Sequence, residues 1–151
     1  MIPINLISAL AKDISAVVND YEFLAELQPP KKVSVYEQYL PTNNFEDDTF
    51  YPLVIVSCRQ VEAVDRETRL ATMLLTLGVF GGEDFLGWRD LFNMAERISQ
   101  FLIENPTIAQ KYTRATLPIF EPLEDQPIPF YFGNILLKYN LAMPQLGRAF
   151  F

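Results

Sequence analysis

Reactive side chains are few in this sequence, and their arrangement argues against the common catalytic designs. There is no histidine. That removes the Ser-His-Asp and Cys-His arrangements, the ordinary zinc sites, and the side chain that most readily exchanges a proton near neutral pH. The single cysteine, Cys58, lies in an apolar, β-branched stretch with no base to activate it. It reads as an inert buried thiol. Two acidic clusters stand out, Glu46-Asp47-Asp48 and Glu121, Glu124 and Asp125. Such oxygens suit hard cations, but the calcium-loop spacing with its glycine is missing, and both clusters read as solvated loops. Paired carboxylates for glycoside cleavage need one acid in an apolar pocket. Glu121, between Phe120 and Pro122, comes nearest to that.

The stretch "GVFGGEDF" follows a strand pattern and precedes a helix pattern, as a phosphate loop would. It matches neither glycine-rich fingerprint. It also puts Glu83 and Asp84 where the phosphate would come, the wrong charge beside a helix N-terminus. The same acids suit a helix start, so the stretch reads as a turn. The expectation is a non-enzymatic chain with no metal and no cofactor.

The elements that would carry these residues are legible from periodicity. Ile7, Leu10, Ile14, Val17, Val18 and Tyr21 recur at helical spacing, predicting a helix from about Ile4 to Leu24 that "LQPP" terminates. Residues 32–40 predict a short strand, with Val33 and Val35 on one side and Ser34 and Gln38 on the other. Residues 41–52 are turn chemistry. "LVIVSCRQV" predicts a strand with Val54, Val56 and Cys58 opposite Ile55, Ser57 and Arg59. Residues 68–80 predict a long strand whose Ala71, Met73, Leu75, Leu77 and Val79 meet the core. Its other face, with Thr72, Leu74 and Thr76, is too apolar for open water and too polar for a core, so a covering element or a second subunit is expected there.

A second helix is expected from about Trp88 to Glu104, burying Trp88, Leu91, Phe92, Ala95, Ile98 and Leu102 and exposing Asp90. Residues 107–115 read as short helical or irregular chain. Pro118 and Pro122 mark 116–123 as an edge strand. "FYFGNILLKYNLAM" predicts a last strand with Tyr131, Ile135, Leu137, Tyr139 and Leu141 inward and Phe130, Phe132, Asn134, Leu136 and Lys138 outward. The whole is one α+β domain over 1–151, with an antiparallel (mixed) sheet of about four to five strands and two main helices on one face.

Bulk properties narrow the partners. The 151 residues are half hydrophobic, enough for a core without staples, and the formal net charge is −7. The 12 basic residues are scattered, with Lys31-Lys32 the one adjacent pair, which disfavours tight nucleic-acid or anionic-membrane binding. No signal peptide and no membrane span of about 18 apolar residues are expected. One cysteine excludes an internal disulfide and suits a reducing compartment.

Three stretches carry a resemblance: "FYPLVIVS", "GVFGGEDFLGWRDLFNMAERISQFLIENP" and "PLEDQPIPFYFGNILLKYNLAMP". Their order resembles the tail terminator, or tail completion, proteins of long-tailed bacteriophages and prophages, over about residues 50–143. The resemblance implies a small α+β structural subunit that assembles as a ring, commonly a hexamer. Such a ring caps the tail tube, ends its polymerisation and joins it to the head connector, with DNA passing through the lumen unbound. It also implies a place in the virion neck after assembly in the bacterial host cytoplasm. Phe130, Phe132, Thr72, Leu74, Thr76 and the terminal Phe150 and Phe151 are the interface residues expected on this reading. Competing readings are a head-closure or connector subunit, a small carboxylate enzyme, and a ligand-binding accessory domain.

Overall fold

Thirteen alternating residues build the centre of the sheet. In the computed structural model, which describes residues 3–19, 32–42, 44–81 and 87–142, the elements run α1 (Ile4–Val18), β1 (Ser34–Glu37), β2 (Leu53–Ala63), β3 (Thr68–Phe80), α2 (Gly87–Glu104), β4 (Thr107–Ile108), β5 (Tyr112–Arg114), β6 (Ile119–Pro122) and β7 (Phe130–Ala142). The sheet order is β1-β2-β3-β7-β5-β4, and β6 also pairs with β7. β1 runs parallel to β2 and every other pairing is antiparallel.

The period of two sorts the sheet into two faces. Ala71, Met73, Leu75, Leu77 and Val79 are fully buried, and Tyr131, Ile135, Leu137, Tyr139 and Leu141 join them from β7. Both helices cover this face, α1 over β1 and β2, α2 over β3, β7 and β6. α1 contributes Leu6, Leu10, Ile14 and Val18, and α2 contributes Leu91, Met94, Ile98 and Leu102. Each such side chain contributes roughly 1.5–3 kcal/mol on burial. A smaller cluster of Leu40, Tyr51, Leu53 and Ile55 sits on the opposite face.

The ends of the elements have visible causes. Asp65 accepts hydrogen bonds from the Glu67 and Thr68 amides, each at 2.8 Å, and so holds the turn between β2 and β3. Those bonds, the Glu67 one foremost, draw its carboxyl below the usual carboxylate range. The Arg114 guanidinium donates to the Leu102 and Ile103 carbonyls at 3.3 and 3.4 Å, capping the C-terminus of α2.

The structure corrects several sequence expectations. Among the described residues the sheet has seven strands, where four to five were expected. Residues 107–115 supply two of them, a tight hairpin whose Ala109 and Gln110 take φ of 54° and 55°. The mixed character of the sheet agrees with expectation: the long link from Gln38 to Pro52 lets β1 return parallel to β2. α2 is rotated from the expected stripe: Asp90 and Met94 are fully buried, whereas Trp88 and Phe92 are exposed by 45% and 43%. Aromatics at that spacing read as core in sequence. Here Gly81 and Gly87 close on the Tyr131 ring, and a Cβ at Gly87 would lie 2.5 Å from Tyr131 Cδ2. Tyr131 thereby fills the place expected for Trp88. The expected helix continuation to Leu24, with Tyr21, lies outside the described residues.

Candidate interaction surface

The chemistry-bearing residues do not converge. Asp47 caps the short 3-10 turn Asp48–Phe50, its carboxylate accepting from the Thr49 amide at 3.0 Å and the Thr49 hydroxyl at 2.6 Å. Glu46 and Asp48 beside it are exposed. Glu121 in β6 and Glu124 and Asp125 just after it are exposed. Among the described residues, no group of three or more His, Cys, Asp or Glu side chains is placed to hold a metal ion. Glu83 and Asp84 lie outside the described residues.

Cys58 ends the regular part of β2, just before a bulge at Arg59. Its thiol is half-buried, lies 3.6 Å from the Gln60 carbonyl, and is pushed up in pKa by burial. The Gln38 side chain closes the sheet edge beside it. Cys58 N–H donates to Gln38 Oε1 at 2.9 Å, and Gln38 Nε2 donates to Cys58 O at 3.2 Å. A cleft of about 430 Å³ opens here, lined by Ile4 and Ile7 of α1 and by Cys58, Arg59 and Val61 of β2, among others. Ser8 donates to Glu37 Oε1 at 2.6 Å on its rim. A second, shallower groove of about 780 Å³ runs between α1 and α2.

The residues expected at an interface are distributed over the helix-free face. Phe130 and Phe132 are half-buried in the second cluster, with ring centroids 4.8 and 5.8 Å from that of Tyr51. The close approach needs Gly78, where a Cβ would meet Tyr51 Cε2 at 2.8 Å. The structure thus packs both aromatics within the chain. The rigid corner expected before them is held by Gln126, whose side-chain amide pairs with Phe132 as a neighbouring strand would: Nε2 donates to Phe132 O at 2.8 Å and Oε1 accepts from Phe132 N–H at 2.7 Å. Leu74 is buried on that face, Thr72 and Thr76 are half-buried, and among the described residues no helix lies over them. An exposed Lys138–Glu62 ion pair at 3.4 Å reaches across β3 beside them. Phe150 and Phe151 lie outside the described residues.

Sequence reasoning missed an exposed aromatic cluster. Trp88, Phe92 and Phe120 stack edge to face, with centroids 5.7 and 5.5 Å apart, and the Arg89 guanidinium sits 5.3 Å from the Trp88 ring centre. Leu117, Ile119 and Leu123, exposed by 61%, 57% and 40%, belong to the same edge segment, but Ile119 pairs with Leu136 on the sheet face opposite to Phe120, which pairs with Ile135. The Leu123 amide donates to Phe132 O, so alternate residues 119, 121 and 123 face β7 and residues 118, 120 and 122 face outward. Two of those outward positions are prolines. The edge therefore offers one amide donor, Phe120, and resists ladder extension while still presenting apolar side chains. The signal available in sequence was the apolar content of "TLPIFEPL" around prolines that bar it from the sheet centre.

No family model matches the chain, and the search of curated proteins returned no match.

Proposed function

We propose that the chain is a structural subunit that assembles as a ring, most simply a hexamer, on the end of a long-tailed bacteriophage or prophage tail tube. The ring ends tube growth and joins the tail to the head connector, and DNA passes through its lumen. The observation that carries this reading is the set of exposed large apolar side chains about the β6 edge, Trp88 and Phe92 beside Phe120 on the helix face and Leu117, Ile119 and Leu123 along the edge segment itself. Monomeric proteins rarely leave so many large apolar side chains together in water, and such surfaces mark association sites.

The motifs that carry the resemblance support the reading because each builds architecture. Gly81 after β3 and Gly87 at the start of α2 close on Tyr131, and the acid-proline-aromatic corner precedes β7. The formal net charge of −7 per chain suits a lumen that lets DNA slide without adhering. Light scattering over a concentration series, with negative-stain images of the same samples, tests the proposal. Closed rings with a central hole, or rings formed only on purified tail tubes, support it. A monomer at every concentration that also fails to bind tail tubes removes it.

A further inference from the structure

We draw no further inference here: the strongest candidate, the apolar cleft between α1 and the bulged edge of β2, carries nothing because nothing in the structure shows what covers it.

Discussion

Gln126→Ala strips the corner before β7 of both bonds its side-chain amide makes to Phe132, at 2.8 and 2.7 Å. The Phe132 amide loses its acceptor beside half-buried rings, while the Phe132 carbonyl keeps the bond from the Leu123 amide. At about 1 kcal/mol net per bond, and up to about 3 for a group left unpaired, the expected loss is about 2 kcal/mol. With a urea slope of about 2 kcal/mol/M, the unfolding midpoint falls by about 1 M. Gln126→Glu sharpens the test. It keeps the acceptor for the Phe132 amide but turns the donor into a carboxylate oxygen facing the Phe132 carbonyl oxygen. The charged form is repelled there, and the protonated form can donate, so the folded-state pKa rises above the unfolded value. The folded chain then holds the proton more tightly. The resulting stabilisation is complete below the unfolded pKa and is lost as pH rises through the folded pKa. Gln126→Glu should therefore be no more stable than Gln126→Ala near pH ~7, and should overtake it as pH falls toward about 4. Urea melts followed by circular dichroism across that range read both effects. A Gln126→Ala midpoint within about 0.2 M of wild type would refute the reasoning, as would a Glu-to-Ala difference that ignores pH.

Replacing Phe130 and Phe132 together by Ser should destabilise the fold by about 3 kcal/mol or more, because both rings pack on Tyr51 within the chain. A double variant that melts like wild type would show that those rings serve a partner instead. Arg114→Ala removes the donors to the Leu102 and Ile103 carbonyls. It should cost about 1 kcal/mol and speed amide exchange at the C-terminal turn of α2, with the N-terminal turn unchanged. Burial pushes the Tyr51 phenol up to about 12, so the folded chain keeps a proton that the unfolded chain releases near 10. Stability should fall between those values as pH rises. Tyr51→Phe should flatten that fall while losing the hydroxyl's bond to the Phe45 carbonyl, worth about 1 kcal/mol. Equal slopes for the two proteins would exclude Tyr51 as the source.

Periodicity alone was enough to assign β3, β7 and α2 and both faces of the two long strands. A two-residue repeat carried over thirteen residues admits one buried face, and Ala71 through Val79 occupy it without exception. Proline chemistry placed β6 at an edge for the same kind of reason: a residue without an amide donor cannot sit in a central ladder. The apolar, β-branched setting of Cys58 pointed to a buried thiol, and the structure leaves it half-buried with its pKa raised by burial.

Tertiary structure decided what local patterns leave degenerate. A helix with apolar residues at 88, 91, 92, 94, 95 and 98 has a stripe wider than its contact. Which edge of that stripe is buried depends on Tyr131, a residue more than thirty positions away, wedged against Gly81 and Gly87. That wedge turns Trp88 and Phe92 outward and creates the apolar surface on which the functional proposal stands. The hairpin of β4 and β5 is too short for periodicity to register, and it exists because β7 offers an edge at Tyr139 and Asn140. The parallel return of β1 and the cleft at the Arg59 bulge also depend on pairings between distant segments. The sequence by itself determined the α+β class, the buried faces of the long strands and the lack of histidine chemistry, because these follow from residue type and spacing. The rotation of α2 and the cleft at the Arg59 bulge were settled in three dimensions, because each depends on which distant backbone comes within contact range.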